Sequence, residues 1–275
     1  DGIAVQSIGF KSFLPIGKPQ ILVEYLNEWG IDEIVLLDIS ATKNGNEPNY
    51  GLISAVSEKC FVPLTIGGGI SKTSHIYKLM QFGADKVCLN NSILKKMDFV
   101  KEAIKIFGSQ CIVAALDIKV INKKYKVFDY LRKITIENDL LDFLKELGNI
   151  GIGEIFLNNV DLDGSKKGYD LELISYVKKN VHVPVICCGG AGKPEHLLDV
   201  VRKTNVNGIA AANFFSFFEH SVAITKSNII KEFELRNDVI YNYSNSNFFE
   251  NGRIKKKNED VLERMLFEKI EEELI

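Results

Sequence analysis

Short apolar runs alternate with longer segments of helical period along most of this chain. Helical periodicity is clear over residues 95–107, 138–147 and 171–179, where apolar side chains recur on one face. Runs that are apolar on both faces are typical of parallel strands covered by helices. The pattern therefore predicts an α/β protein built on either an open doubly wound sheet or a closed barrel. The apolar runs are residues 34–37, 62–66, 86–89, 111–116, 154–157, 183–187 and 208–211.

An internal repeat favours the barrel. The glycine-rich stretch at 67–70 recurs at 188–192, at an offset of about 121 positions. Residues 34–39 resemble 155–160 at the same offset, and 86–91 resemble 208–213 at nearly the same offset. Three elements with one offset indicate two similar halves of four βα units each. The sequence therefore predicts a half-barrel-duplicated (β/α)₈ barrel, also called a TIM barrel.

The two ends of the chain depart from this pattern. The apolar runs supply seven strands, while residues 3–10 look like a hairpin or loop, so the first barrel strand is missing from this sequence. We assign residues 1–236 to the barrel domain and 237–275 to a C-terminal extension. That extension combines a polar loop with a charged helix over 258–274, which either packs on the barrel or docks a partner.

Composition narrows the functional classes. The chain has 275 residues and a net charge of −2, which gives no electrostatic reason to expect nucleic acid or an anionic membrane as partner. The five cysteines lack metal-ligand spacing, and we expect neither a metal nor a cofactor. No signal peptide or membrane-spanning run is visible, so we expect a cytoplasmic protein.

Polar residues follow the predicted strands, where the functional loops of a barrel lie. Any one of them could be a helix N-cap, but eight on one rim favour a binding face. Asp117 is the candidate acid or base, because it closes the apolar run 111–116 and would be partly desolvated. Asp38 is either catalytic or a carboxylate that organises neighbouring loops. The eight residues are Asp38, Asn90, Asn91, Asp117, Asn158, Asn159, Asp161 and Asp163.

The duplicated glycine loops predict two anion sites. Glycine lets backbone N–H groups approach a phosphate closely, and a helix N-terminus adds a favourable dipole. Gly69 lies near the strand end that carries Asn90 and Asn91, and Gly190 lies near Ala212 and Asn213. Two symmetric sites would hold a bis-phosphorylated ligand.

Charged and imidazole side chains elsewhere have ordinary explanations. Glu33, Lys86 and Glu154 stand at the starts of three strands, where they form either a charged ring at the barrel floor or simple solvated strand ends. The four histidines lie on helices or before a strand, and we interpret them as structural. They are His75, His182, His196 and His220.

Four motifs resemble the cyclase subunit of imidazole glycerol phosphate synthase, and the resemblance covers residues 1–217. They are Gly-Ala-Asp-Lys-Val at 83–87, Phe-Gly-Ser-Gln at 107–110, Asp-Leu-Asp-Gly-Ser-Lys-Lys-Gly-Tyr-Asp at 161–170 and Gly-Gly-Ala-Gly-Lys at 189–193. The resemblance implies a barrel that receives ammonia from a separate glutaminase. It implies that ammonia crosses the core and meets a bis-phosphorylated ribosyl substrate between two aspartates.

The resemblance also implies roles for individual residues. Asp117 corresponds to one catalytic aspartate, and the other would lie in the absent first strand. The ammonia gate corresponds to Glu33, Lys86 and Glu154, and the glutaminase interface to Asp85 and Gln110. Phosphate and substrate binding are assigned to Gly69, Asn90, Asn91, Asp163, Gly164, Gly190, Ala212, Asn213, Asp38 and Asn158.

Departures from the family cluster at the substrate face. Gln6 replaces a substrate-contacting lysine and Gly9 an asparagine, while Asn91, Asn158 and Asn213 replace small hydroxyl residues. The loop at 41–50 is similar to one in cyclase-like proteins of bacterial surface-polysaccharide clusters. That resemblance implies delivery of ammonia to an ATP-dependent N-sugar amidotransferase, which converts an acetamido into an acetamidino group. The alternatives are a histidine-pathway cyclase, a non-catalytic scaffold subunit and a related sugar-phosphate isomerase.

Overall fold

A computed structural model describes residues 2–236, together with 243, 249, 253–255, 258 and 260. Most of the predicted C-terminal extension, including nearly all of the charged helix expected over 258–274, lies outside the described residues. Within the described part of the chain, no helix has the length and apolar character needed to cross a membrane.

Within residues 2–236, seven parallel strands form one sheet, as the apolar runs predict. The strands are β3 (Ile34–Leu37), β4 (Leu64–Gly67), β5 (Lys86–Leu89), β6 (Ile112–Ile121), β9 (Glu154–Asn159), β10 (Val185–Cys188) and β11 (Gly208–Ile209). Their order across the sheet is β11-β10-β9-β6-β5-β4-β3, so each half of the repeat contributes neighbouring strands.

Helices follow the strands in the expected alternation. They are α1 (Pro19–Glu28), α2 (Tyr50–Ser57), α3 (Thr73–Gln81), α4 (Asn91–Lys95), α5 (Met97–Phe107), α6 (Leu140–Ile150), α7 (Leu171–Asn180), α8 (Pro194–Lys203) and α9 (Ser221–Ile229). Several begin at signals that the sequence carries. Pro19 is the first residue of α1, and the side-chain oxygens of Asn49, Asp139 and Asp170 cap α2, α6 and α7.

The sheet is strongly curved, as a barrel requires. Glu33 precedes β3 and Glu154 begins β9, four strands away, a separation of about 19 Å in a flat sheet. Both carboxylates nevertheless reach the ammonium group of Lys86 on β5, at 3.3 and 2.8 Å. The strand order and this curvature fit a (β/α)₈ barrel.

Helix α9 bridges the two edges of the sheet. Among the described residues, no strand pairs β11 with β3. Lys226 of α9, the helix after β11, donates to Asp32 at 2.6 Å, just before β3 begins. The Trp29 ring, at the end of α1, packs edge-on against His220 at the start of α9. The edges of the sheet therefore approach each other.

Two hairpins add strands to the seven of the sheet. The first, β1 (Ala4–Ile8) with β2 (Ser12–Gly17), lies where the sequence predicts a hairpin or loop. The second is an antiparallel extension in which β6 pairs with β7 (Lys124–Asp129), which then pairs with β8 (Ile134–Thr135). The prediction that Asp117 closes its strand is therefore wrong: β6 continues to Ile121, because pairing with β7 extends it.

Apolar side chains form two separate clusters. The larger one lies between the sheet and the helices and includes Leu64, Ile76, Leu144 and Phe214. The smaller one lies on the opposite, concave face, and consists of Cys88, Val113, Ala115 and Phe156, with Val35, Ile186, Cys188 and Ala210 packed against it. Because side chains alternate along a strand, this second cluster identifies the positions that face the barrel interior.

Candidate active site

The barrel interior changes character from one end to the other. Along β5 and β9, positions two residues apart share the inner face. Lys86 and Glu154 lie at the start of the strands, and Cys88 and Phe156 lie in the middle. At the carboxyl end are Asn158 of β9 and Asn90, which directly follows β5. The interior is therefore charged at the floor, apolar in the middle and polar at the top.

The floor carries the predicted charged ring. Lys86 Nζ donates to Glu154 Oε2 at 2.8 Å and to Glu33 Oε2 at 3.3 Å. Burial alone would lower the pKa of Lys86, but the hydrogen bonds and charges of Glu154 and Glu33 raise it above its ordinary value. The Lys86 side chain therefore remains a cation between two carboxylates, and the three residues of the sequence-predicted gate come together.

Asp117 is the central group at the top of the interior. It is only 8% exposed, and its neighbours are two asparagines, one on β9 and one directly after β5. Asn90 Nδ2 donates to Oδ2 at 2.9 Å, and Asn158 Nδ2 donates to Oδ1 at 3.4 Å. Burial raises the pKa of Asp117 to about 7, although the two amide hydrogen bonds oppose the shift. Asp117 can thus gain or lose a proton near neutral pH, as a general acid or base requires.

The two asparagines beside Asp117 have unused acceptors. Asn90 Oδ1 and Asn158 Oδ1 are buried, and neither has a hydrogen-bond partner among the described residues. Asn158 itself is 8% exposed, and its Oδ1 lies next to Gly189, at the end of β10. Unpaired buried oxygens are costly, so they mark a place where a donor group is expected to bind.

Asp38 organises a loop. Its Oδ1 accepts hydrogen bonds from the Ser40 backbone N–H at 2.9 Å, the Ser40 hydroxyl at 2.7 Å and the Ala41 N–H at 3.0 Å. Burial would raise the pKa of Asp38, but these bonds hold it below its ordinary value. Of the two roles that the sequence allows, this geometry favours loop organisation, because the carboxylate stays ionised and engaged.

The first glycine loop is covered by the chain itself. Gly69 has a φ of 70° and donates its N–H to Thr42 Oγ1 at 3.1 Å. A Cβ at Gly69 would lie 2.7 Å from the carbonyl oxygen of Asn46, so only glycine fits beneath this loop. An anion could bind the Gly69 N–H only by displacing the Thr42 hydroxyl.

The second glycine loop supports the segment beside it. Gly190 has a φ of 109°, and its carbonyl accepts from the Gly168 N–H at 2.8 Å. A Cβ at Gly190 would collide with the Gly168 carbonyl oxygen, which explains the glycine. His75 and His196 contact equivalent loops: His75 Nδ1 lies 3.2 Å from the Gly69 oxygen, and His196 Nδ1 accepts from the Gly192 N–H at 3.1 Å. Both imidazoles therefore brace glycine loops.

The N-terminal hairpin docks onto three of the predicted phosphate-binding residues. Ser7 Oγ donates to Asp163 Oδ2 at 2.6 Å. The Ser7 backbone N–H donates to Asn213 Oδ1 at 3.1 Å, and Asn213 Nδ2 donates to the Ser7 carbonyl oxygen at 2.6 Å. A Cβ at Gly164 would lie 2.5 Å from the Ser7 oxygen. Asp163 and Asn213 thus hold the hairpin over the rim, a use that the sequence did not indicate.

The remaining predicted residues lie close to their expected places. Asn91 begins α4, with a buried Nδ2 that lacks a partner in the described structure, and Ala212 precedes a 3₁₀ turn at Asn213–Ser216. Asp85 and Gln110 are exposed, before β5 and β6 on the floor side, and Asp85 Oδ2 also accepts from the Leu64 N–H at 2.8 Å.

Sequence reasoning missed two residues at the top. Ser7 carries no local pattern that distinguishes it. Tyr130 follows β7, and burial raises the pKa of its hydroxyl, as do the nearby carboxylates of Asp117, Asp129 and Asp38, while a hydrogen bond with Thr42 opposes the shift. The alternating stretches around Asn122, which has a positive φ, are the signal that could have revealed the hairpin carrying Tyr130.

Comparisons with known proteins agree with the motifs. Residues 1–222 match the family model described as Histidine biosynthesis protein. The chain is 40% identical over 227 residues to the putative imidazole glycerol phosphate synthase subunit hisF2 of Vibrio vulnificus (strain YJ016), covering 82% of this chain and 84% of that protein. It is 38% identical over 230 residues to the imidazole glycerol phosphate synthase subunit HisF of Bacillus cereus (strain G9842), covering 83% and 91%. It is 37% identical over 233 residues to the HisF subunit of Clostridium botulinum (strain 657 / Type Ba4), covering 84% and 92%.

Proposed function

The chain belongs to the family of HisF cyclase subunits of imidazole glycerol phosphate synthase, and from that membership we propose that it conducts ammonia from a glutaminase subunit to an acceptor at its top face. The acceptor reaction that we favour is amidation of an N-sugar, an acetamido group becoming an acetamidino group in surface-polysaccharide synthesis. An ATP-dependent amidotransferase would carry out that step.

The polarity profile of the interior supports ammonia transfer. Lys86 and its two glutamates at the floor offer charged groups that meet a polar molecule entering from a docked partner. The middle level, with Cys88 and Phe156, suits a small neutral molecule and disfavours ions, which are costly to desolvate. Burial raises the pKa of the Cys88 thiol, so this side chain remains neutral as well.

The top face supports an acceptor other than the histidine-pathway substrate. A bis-phosphorylated ligand needs free donors on the rim, yet Thr42 accepts from the Gly69 N–H of the first glycine loop. Ser7 packs against Gly164, another of the predicted phosphate-binding residues. Gln6, where the family has a substrate-contacting lysine, removes a cation from the same rim. These features weaken the binding of two phosphates at the rim and leave the side chains of the barrel interior unchanged.

A histidine-pathway cyclase is the second candidate, and one observation favours it. Asp117 is buried with a pKa raised to about 7, which suits proton transfer during imidazole formation. Family membership is equally consistent with this role. In that case the hairpin contacts of Ser7 would open when substrate binds. A non-catalytic scaffold that only positions the glutaminase is the third reading.

Turnover of the histidine-pathway substrate with ammonia separates the first two candidates. Loss of one charge-assisted contact at Gln6 costs about 1.5–3 kcal/mol, or roughly tenfold to a hundredfold in rate. We therefore expect little or no cyclisation by the full-length protein, assayed by the release of its imidazole product. Gln6→Lys should raise any residual rate.

The matched measurement follows nitrogen transfer to an acetamido sugar in the presence of glutaminase, amidotransferase and ATP. Asp117→Asn should reduce that transfer only modestly. Cyclisation at a rate ordinary for an enzyme, abolished by Asp117→Asn, would establish the histidine-pathway role instead. If neither reaction occurs but the barrel still stimulates the glutaminase, the result would favour the non-catalytic scaffold.

A further inference from the structure

The antiparallel extension of β6 carries a concentration of positive charge. Residues 118–135, which we call the basic extension, contain six basic side chains and one acidic one, although the whole chain has a net charge of −2. The single acid, Asp129, is fully buried and pairs with Arg132 at 2.7 Å, so it offsets none of the lysines of the extension. Because the extension begins directly after Asp117, it stands at the carboxyl end of the barrel. The basic residues are Lys119, Lys123, Lys124, Lys126, Arg132 and Lys133.

The strand register places like charges on one face of this extension. Lys119 of β6 lies directly opposite Lys126 of β7, and Lys124 lies two residues from Lys126, so these three side chains form a lysine face. Like charges in directly opposed positions destabilise a strand pair. Lys123, in the turn between the strands, has a φ of 61°, a conformation that favours glycine. Two local preferences are therefore overridden in favour of positive charge, which is typical of functional surfaces.

The lysines of the β6–β7 ribbon have no carboxylate partner among the described residues. Lys119 Nζ lies over the Phe128 ring, 4.3 Å from its centroid, and Lys126 Nζ donates to the carbonyl oxygen of Glu137 at 2.9 Å. The two lysines at the turn are exposed. This surface can therefore accept an acidic partner without breaking an existing ion pair.

The C-terminal extension carries the opposite charge. Residues 259–273, which we call the acidic segment, contain seven acidic side chains and two basic ones. The sequence predicts a helix there with apolar residues on one face, among them Val261, Met265 and Ile270. Apart from Asp260, the acidic segment lies outside the described residues. Its charge is equal in size and opposite in sign to that of the basic extension.

We propose that the acidic segment docks on the lysine face of the basic extension of the same molecule. The carboxylates of the segment would offset the repulsion between Lys119 and Lys126. Ile121, which is 44% exposed and shares the lysine face, offers an apolar contact to the apolar side of the predicted helix. The inference goes beyond the proposed function and does not depend on it.

The chain is long enough for this contact to form within one molecule. The Tyr243 ring packs against His220 with centroids 5.8 Å apart, which attaches the C-terminal extension beside α9. The fifteen residues between Tyr243 and Glu259 can span at most about 53 Å, whereas a domain of this size has a diameter of about 45 Å. A tether of this kind gives an effective concentration of about a millimolar, which favours the same molecule over a second copy.

Carbodiimide cross-linking of the full-length protein tests the contact, because the reagent joins a lysine amine to a carboxylate without a spacer. Mass spectrometry identifies the linked peptides, and an equal mixture of ¹⁴N and ¹⁵N protein separates links within one molecule from links between two. We expect links from Lys123 or Lys124 to the glutamates at 271–273, each of a single isotope mass. Their yield should fall about tenfold in about 1 M NaCl, where charges are screened beyond about 3 Å.

Exchanging the charges tests the cause of the contact. The double variant Glu272→Lys, Glu273→Lys should link Lys123 and Lys124 to the remaining carboxylates of the segment about tenfold less, because attraction becomes repulsion. Adding Lys123→Glu and Lys124→Glu should restore links between positions 123–124 and 272–273. The matched control is Glu28→Lys, Glu58→Lys, at the floor ends of α1 and α2, which makes the same change in net charge and should leave the links unaltered.

Links of mixed isotope mass would show docking between two copies and overturn the intramolecular site. Absence of links between the basic extension and the acidic segment would also overturn it. So would links that persist undiminished in Glu272→Lys, Glu273→Lys, or a charge exchange that fails to restore them, because charge would then not hold the two surfaces together.

Discussion

Lys86 Nζ and Glu154 Oε2 lie 2.8 Å apart, although their strands are separated by the whole of β6. The contact exists because the sheet is curved and both side chains point to its axis. It turns three charges that are remote in sequence into one ring, with Glu33 on the far side of Lys86.

The first prediction concerns the strength of that contact. Both side chains are largely buried, so Lys86→Met leaves the Glu154 carboxylate without its closest cation and should lower the free energy of unfolding by about 1–3 kcal/mol. The double variant Lys86→Met, Glu154→Leu should lose less free energy of unfolding than the two single variants lose together. Urea denaturation of the four proteins measures the coupling. Additive losses would show that the pair contributes nothing beyond its separate side chains.

The second prediction concerns the partner face at the floor. Asp85 is exposed next to Lys86, and Asp85→Lys reverses the charge that a docked glutaminase would meet. We expect the wild-type barrel to raise the rate of glutamine hydrolysis by the cognate glutaminase. In Asp85→Lys this stimulation should be at least tenfold smaller, because placing a like charge opposite a charge of the partner weakens binding by more than about 1.4 kcal/mol.

Asp98→Lys is the matched control for that measurement. Asp98 is fully exposed in the first turn of α5, towards the other end of the barrel, and its substitution makes the same change in net charge. It should leave the stimulation unaltered. Equal losses in the two variants would point to bulk charge and contradict a docking face at Asp85.

The third prediction concerns the pH dependence of stability. The pKa of Asp117 is raised by burial from an ordinary value of 3.8 to about 7, so between these values the folded protein holds a proton that the unfolded chain has released. Stability should therefore fall as the pH rises from about 4 to about 7, and level off above that range. A shift of this size corresponds to a contribution on the order of 4 kcal/mol.

Asp117→Asn should remove this contribution. The amide of the variant cannot ionise, so the variant should be more stable than the wild type at pH 8 by on the order of 1–3 kcal/mol. This is less than the full contribution, because the variant also loses hydrogen bonds with Asn90 and Asn158. Near pH 4 the advantage should vanish. Chemical denaturation at several pH values measures it. A wild type that is as stable as Asp117→Asn at pH 8 would contradict a buried carboxylate with a raised pKa.

Much of the barrel could be predicted from local patterns. The continuous apolar runs that became β3, β4 and β5 have the same bounds as these strands within two residues. The repeat offset places β3 of the first half at the position of β9 in the second half, and β4 at the position of β10. The charges at 33, 86 and 154 could be predicted to share the floor, because parallel strands start at one edge. These inferences succeed because alternation and strand direction are properties of the backbone itself.

The use of the rim residues could not be predicted in the same way. Asp163 looked like a ligand-binding carboxylate, yet it accepts from Ser7, 156 residues away, and the partner of Asn213 is 206 residues away. Nothing in the sequence around Ser7 specifies which distant loop it meets. The β6–β7 extension was likewise missed, because the apolar run ends at Leu116 while the hydrogen-bonded strand does not.

The sequence by itself determined the strand and helix alternation, the duplicated halves and the end of the barrel at which polar residues gather, because each follows from the period and direction of short segments. Only the tertiary structure decided which of those polar groups are already bonded to one another and which keep a free acceptor. Hydrogen bonding depends on distances of about 3 Å between groups that are remote along the chain, and curvature of the sheet sets those distances. Asn158 and Asn213 carry the same side chain. Both the oxygen and the nitrogen of the Asn213 amide contact Ser7, whereas the Asn158 amide retains a buried oxygen that is unpaired in the described structure.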